Sequence, residues 1–328
     1  MTRATAGRGG PDLDWVAQVI TFYAPSFWGL DSDEQLSEYA RSAPREFFDR
    51  LLDAIAQTGV RRIELCMAPG DWQAAREAFG GGAATRAALA GRDMVLTGSY
   101  QSGWPLEEAL ADRSARVRAL DNVARHADFL HDAGVDLMLT GPLRRGTVEG
   151  SIFPRVSDAV LDDTAEIISE LATITAQRGV DLAIHTEAYS VVCREEDIDR
   201  IMARTEEGLV YLCPDSGHIT LDGGDVAAVV RSHLPRIRSM HWKDCIGPRM
   251  DLPASGAVTH EMMMEQFRRM GKGAVDWEGV IDAFAQGRFA GYAVAEIDLA
   301  PDPIGDVRDI IDYYEDHVSA ISERSADA

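Results

Sequence analysis

Apolar residues in this chain fall into short unbroken runs, and the runs alternate from end to end with longer stretches that carry apolar positions at helical spacing. The first run, Trp-Val-Ala-Gln-Val-Ile-Thr-Phe of 15–22, reads as a buried strand and leads into the loop of 23–28. Over 44–58, Phe47, Phe48, Leu51, Leu52 and Ile55 share one helical face, and Gly59 marks the stop. Further strands are expected at 62–67, 94–99, 135–140, 180–187, 210–215, 237–244 and 291–298. Helices are expected at 73–89 (interrupted by Gly80 to Gly82), 106–133, 157–178, 195–205, 225–234, 260–270, 277–287 and 304–322.

Strictly alternating strand and helix, with no Pro/Gly/Ser-rich linker, favours a parallel sheet covered by helices. Eight such units in 328 residues, with no Gly-x-Gly-x-x-Gly turn after the first strand, predict a single closed (β/α)8 TIM barrel of the α/β class rather than an open doubly wound sheet. Residues 1–12 are expected to be a flexible lead-in, 13–322 the barrel and 323–328 a polar tail. The long connection of 245–259, with Arg249 and followed by His260, is a candidate lid or subunit contact.

The strands gain interest at their ends. Four apolar runs stop on ionisable groups: His185 and Glu187, Asp215 and His218, His241 with Lys243 and Asp244, and Glu296 with Asp298. Barrel active sites lie at the C-terminal ends of strands, so one shared site is expected. Side chains alternate faces along a strand, which puts Glu187, Asp215, His241 and Glu296 on the barrel axis if that face is the interior. Three carboxylates brought together repel one another unless a cation neutralises them, and a divalent metal is the economical solution. Mostly oxygen donors with one imidazole suit Mn²⁺ or Mg²⁺, with Co²⁺ or Fe²⁺ as alternatives.

Composition narrows partners more than chemistry. A formal charge of −22 repels phosphate backbones and argues against nucleic acid. No apolar run is long enough to cross a bilayer, and the lead-in has no apolar core of a secretory signal, so a cytoplasmic enzyme is expected. The four cysteines show no paired spacing and read as reduced thiols. Lys243 stands out because only it and Lys272 are lysine among 32 basic residues.

The Asp-Ser-Gly-His of 215–218, Met-His-Trp-Lys-Asp of 240–244, Gly-Lys-Gly-Ala-Val-Asp-Trp of 271–277 and Ala-Glu-Ile-Asp of 295–298 resemble the xylose-isomerase-like barrel superfamily. That group holds sugar isomerases and epimerases, inosose dehydratases, catalytic subunits of C-glycoside deglycosidases and, more distantly, apurinic endonucleases. The resemblance runs from about residue 15 to 317 and implies Glu187, Asp215, His241 and Glu296 as metal ligands, with Mn²⁺ the expected ion. It also implies that His218 touches a substrate hydroxyl. Strands two and three lack the extra histidines of the endonuclease branch, which argues against a nuclease.

The chemistry expected of such a site is deprotonation beside the carbonyl of a keto-sugar. Glu187, Glu296 and His185 are candidate bases, and Lys243 a candidate to stabilise the enediolate oxygen. Trp28, Trp72, Trp104 and Trp242, with Phe27 and Tyr100, are expected to crowd one mouth and stack on a sugar or an aromatic aglycone, with Arg249 as a further substrate contact. That aromatic mouth favours a lyase cleaving a 3-oxo-glycoside by β-elimination, working with a small second subunit as the resemblance implies, or as a homo-oligomer. A ketose isomerase or epimerase, an inosose dehydratase and a non-catalytic sugar-binding barrel stay open as alternatives.

Overall fold

Ten strands occur in the computed structural model, which describes residues 13–101, 106–145, 155–248, 263–287, 289, 291–298 and 300–326. They are β1 (Asp14–Gln18), β2 (Arg62–Leu65), β3 (Val95–Tyr100), β4 (Leu137–Thr140), β5 (Asp181–His185), β6 (Val210–Cys213), β7 (Ser239–Trp242), β8 (Asp244–Cys245), β9 (Phe267–Arg268) and β10 (Tyr292–Ala295). Eight of them pair in parallel in the order β6-β5-β4-β3-β2-β1-β10-β7. Two bridges, Leu212 with Ile237 and Asp215 with His241, join the outer strands β6 and β7 and complete the ring. The expected barrel is therefore what forms.

Alternation along each strand divides the apolar residues between two cores. Ile63 and Leu65 of β2 pack into the large cluster shared with the surrounding helices, where Phe47, Phe48, Leu51, Leu52 and Ile55 of helix Pro44–Thr58 are also buried. A smaller cluster of Leu137, Leu139, Ala183 and Cys213, flanked by Tyr100, Tyr211 and Tyr292, fills the barrel itself. The polar strand ends sit above this plug because side chains of the same parity continue upward from it: Ala183 is followed by His185 and Cys213 by Asp215.

Several element bounds differ from the expectation, each for a local reason. Strand β1 stops at Gln18, whose side chain accepts the Val19 N–H at 2.9 Å and starts a single 3₁₀ turn over Val19–Phe22. The run of 106–133 breaks in two at Asp112, whose carboxylate accepts the Ala115 N–H and caps helix Arg113–Ala133. The helix expected at 73–89 is by contrast interrupted where expected, into Trp72–Phe79 and Gly82–Ala90, with Gly80 and Gly81 as the caps between them. Residues 260–270 do not make one helix: 260–262 lie outside the described residues, and Phe267–Arg268 pairs with Asp244–Cys245 as an antiparallel ribbon. The last helix, Pro303–Ala326, runs into the expected tail because no Gly or Pro stops it after 322. The lead-in of 1–12 and most of the expected lid lie outside the described residues. Among the described residues no helix is long and apolar enough to cross a membrane.

Candidate active site

Asp215 shows how the backbone aims a side chain into this site. Its N–H donates to Thr186 Oγ1 at 2.8 Å, and its Oδ1 accepts the N–H of His218 at 2.9 Å as the cap of helix Ser216–Leu221. That leaves Oδ2 directed at the imidazoles of β5 and β7. His185 Nε2 lies 3.2 Å from His241 Nδ1, and Asp215 Oδ2 lies 3.6 Å from His185 Nε2 and 3.8 Å from His241 Nδ1. Glu296, at the end of β10, brings Oε2 to 2.5 Å from the same His241 Nδ1.

This set fits a divalent cation. The point equidistant from the three atoms of His185, Asp215 and His241 lies about 2 Å from each, the usual length of a nitrogen or oxygen bond to such an ion. Asp215 Oδ2 and Glu296 Oε2 are buried beside Lys243 and His241 but make no hydrogen bond, which suits oxygens that would hold a cation. The electrostatics agree: burial alone lowers the pKa of His185, yet Asp215 and Glu187 outweigh it and lift it to about 9, so the surroundings favour positive charge at this point.

A second cluster abuts the first. Lys243 Nζ lies 2.7 Å from Glu296 Oε1, 3.0 Å from Asp298 Oδ2 and 3.3 Å from Asp215 Oδ2. Burial opposes its charge, but those three carboxylates prevail and hold its pKa well above the ordinary lysine range. His218 Nε2 is 3.3 Å from the same nitrogen. Burial and then the Lys243 charge lower the His218 pKa to about 3, so the ring is neutral. Its Nδ1 accepts the Ala188 N–H at 2.9 Å, which leaves the proton on Nε2. The β8–β9 ribbon sets Phe267 4.2 Å from Lys243 Nζ and 4.6 Å from the His218 ring.

On the far side of His185, Glu187 accepts a short hydrogen bond from the Tyr100 hydroxyl. A Cβ at Gly141 would overlap both Tyr100 and Glu187, so that glycine is what lets them meet. Burial raises the Glu187 pKa, but the neighbouring His185 prevails and takes it down to about 2. Glu187 Oε1 stays 3.6 Å from His185 Nδ1, and its side chain is 29% exposed.

The structure thus gathers His185, Glu187, Asp215, His218, His241, Lys243 and Glu296. Of the residues expected as ligands, Asp215 and His241 lie in the tight triangle together with His185, which was expected as a base; Glu296 Oε2 lies 2.5 Å from His241 Nδ1, and Glu187 lies beside His185. Three of the expected aromatic contacts are core residues instead. Trp28 stacks on Phe47 and donates its N–H to Phe22 O, Trp72 stacks on His126, and Trp242 stacks on Trp277 and Phe284. Each ring faces the helix layer, where burying a large apolar surface is most favourable. Trp104 and Arg249 lie outside the described residues.

Asp298 joins the site as a strand-end group, whereas Phe267 reaches it without having been singled out, and so does Glu64 of β2, whose Oε1 lies 2.9 Å from His241 Nε2. Its signal was the alternation rule: Glu64 is the polar position between Ile63 and Leu65. The glycine-rich motif of 271–277 proves structural. Buried Asp244 accepts the N–H groups of Gly271, Gly273 and Val275 at 3.0 Å and the Trp277 indole N–H at 2.9 Å, and so wraps the motif around the end of β8.

Comparison with known proteins follows the same lines. The inosose dehydratase of Bacillus velezensis is 24% identical over 221 residues, covering 65% of this chain and 72% of that enzyme. Inosose dehydratases of Clostridium perfringens are matched over 62% of their length. Among solved structures, the 3-keto-D-glucoside 4-epimerase of E. coli aligns with a TM-score of 0.63 at 14% identity, covering 93% of this chain and 99% of that one. The IolI protein with a bound zinc atom aligns with a TM-score of 0.64 at 14% identity, covering 94% of this chain and 99% of that one. The family model for the xylose isomerase-like TIM barrel matches residues 52–317, the span that holds seven of the eight barrel strands and all three residues of the triangle, and the chain belongs to that family.

Proposed function

We propose that this barrel is a metal-dependent lyase that takes the proton beside the carbonyl of a cyclic polyhydroxylated ketone and expels the hydroxyl one carbon further on as water. The observation that carries the reading is the placing of two proton-handling pairs, Tyr100–Glu187 and Lys243–His218, on either side of the His185–Asp215–His241 triangle. Elimination of water needs both a base and an acid, whereas a binding barrel needs neither.

His185, Asp215 and His241, with Glu296 beside them, would hold the cation. Bound there, it would supply Lewis acidity to the substrate oxygens. Two imidazoles with carboxylates suit Mn²⁺, Fe²⁺, Co²⁺ or Zn²⁺ better than Mg²⁺. Glu187, the most exposed of the carboxylates named, takes the C–H proton, with Tyr100 orienting it. Lys243 supplies the proton for the departing hydroxyl through His218, 3.3 Å away, in one concerted relay that leaves the ring neutral and the lysine as the free amine. The C–H and C–O bonds break, a C=C bond forms, and water leaves.

The inosose dehydratases among the relatives carry out a reaction of this class by name, which supports a keto-cyclitol as substrate. The case for an aromatic aglycone weakens, because Trp28, Trp72 and Trp242 belong to the core. The test is NMR in D₂O with Mn²⁺-loaded protein and inosose. Loss of the hydroxyl with formation of an unsaturated or diketone product is expected, and Glu187→Gln should lower turnover about 10²–10⁴-fold while metal binding persists. Deuterium exchange beside the carbonyl with no loss of water would make the protein an epimerase or isomerase instead.

A further inference from the structure

His241 is gripped from behind as well as in front. Its Nε2 lies 2.9 Å from Glu64 Oε1, and Glu64 is 1% exposed. The same oxygen accepts a hydrogen bond from Gln18 Nε2 at 2.6 Å. Gln18 is oriented in turn by its own backbone neighbour, since its Oε1 accepts the Val19 N–H at 2.9 Å and the amide nitrogen must then face Glu64. Glu64 Oε1 is therefore an acceptor for a proton on His241 Nε2, while Glu296 Oε2, 2.5 Å from Nδ1, is the acceptor a cation would displace on the other side. The neutral ring then presents a lone pair at Nδ1, the atom that faces His185, Asp215 and Glu296.

The backbone is shaped to admit this carboxylate. The β2–β3 register shifts between Ile63 and Glu64, and the residue opposite Glu64 is Gly98. A Cβ at Gly98 would come within 3.0 Å of Glu64 Oε2. A bulge and a glycine inside a strand weaken pairing locally, and both fall where the Glu64 side chain lies.

We infer that Glu64, held by Gln18, is a positioning residue that locks His241 in its Nε2–H tautomer and so turns an unprotonated Nδ1 toward the cation triangle. Partners of this kind fix the orientation and raise the basicity of ligating histidines, and their loss typically weakens metal binding about 10–100-fold. The inference rests on the reading of His241 as a ligand.

Two readouts on the full chain separate them. The first is the tautomer of His241 in ¹⁵N-labelled, metal-free protein, read from long-range ¹H–¹⁵N correlations as pH is raised until the ring is neutral. Nε2–H is expected in wild type and a mixture of tautomers in Glu64→Leu; an Nδ1–H ring in wild type overturns the inference whatever the metal does. The second is the affinity for Mn²⁺ alone, followed by the EPR signal of the free ion. About 10–100-fold weaker binding is expected in Glu64→Leu. Where that variant does not fold, the isosteric Glu64→Gln is read instead, with about tenfold weaker binding expected from the lost charge. Unchanged affinity in the folded variant overturns the inference. Wild type that binds no Mn²⁺ but shows the locked tautomer would instead sink the metal reading and leave Glu64 as the residue that orients His241.

Discussion

Lys243 Nζ stands 2.7 Å from Glu296 Oε1, across 53 residues of chain, because β7 and β10 are neighbours in the barrel and Val294 lies beside His241. The ammonium is buried among Asp215, Glu296 and Asp298, and removing it would leave those carboxylates facing one another. Lys243→Met should therefore destabilise the protein by about 3–5 kcal/mol, the usual result of breaking a buried ion pair on one side. Thermal unfolding reads that loss, and turnover should fall with it; a variant as stable as wild type would mean that the carboxylates are neutralised by other means.

Metal removal offers an independent check. Dialysis against a chelator should abolish turnover, and Mn²⁺ or Co²⁺ should restore it. A cation held by the folded protein where the three strand ends converge should also raise the unfolding free energy by about 2.7 kcal/mol at a hundredfold excess over its Kd. A melting temperature that ignores added Mn²⁺, Co²⁺ and Zn²⁺ would remove the metal from the mechanism.

His126 predicts an acid limit to stability away from the site. Its Nδ1 is 2.6 Å from Gln101 Oε1, its Nε2 is 2.9 Å from Ser99 Oγ, and burial lowers its pKa to about 3. The folded value lies below the unfolded one, so the unfolded chain takes up the proton first. The contribution is fully present above about pH 6.5 and is lost as pH falls toward 3, amounting to on the order of 5 kcal/mol. His126→Gln should start out less stable at pH 7 and lose less between pH 7 and 5, as followed by urea unfolding. Equal slopes for the two proteins would show that His126 does not titrate across this range.

Trp72 discriminates core from substrate contact. Its ring stacks on His126 at 5.0 Å and meets Phe129 at 5.9 Å. Trp72→Ala should cost about 3–5 kcal/mol of stability and leave KM unchanged at a temperature where the variant stays folded. A raised KM with little loss of stability would return the ring to the substrate.

How far local pattern reaches is visible in these same residues. Alternating runs and helical faces were enough for eight parallel units, and strand parity was enough to set His185, Asp215, His241, Lys243 and Glu296 at one end of the barrel, because both follow from the geometry of a few consecutive residues. Three things needed the tertiary structure. Parity puts His185 and Glu187 on one face but leaves their depth along the axis open. The register sets His185 opposite Cys213, two residues short of Asp215. After His185 the chain turns off the ladder, with the Glu187 N–H donating to Val192 O, so that His185 meets Asp215 and His241 while Glu187 stands beside it. The tryptophans follow their adjacent strands into the helix layer because an aromatic ring is most stable where helices cover it, which a list of rings near loops does not reveal. Glu64 pairs with a residue 177 positions away, and only closure of the ring places β2 opposite β7.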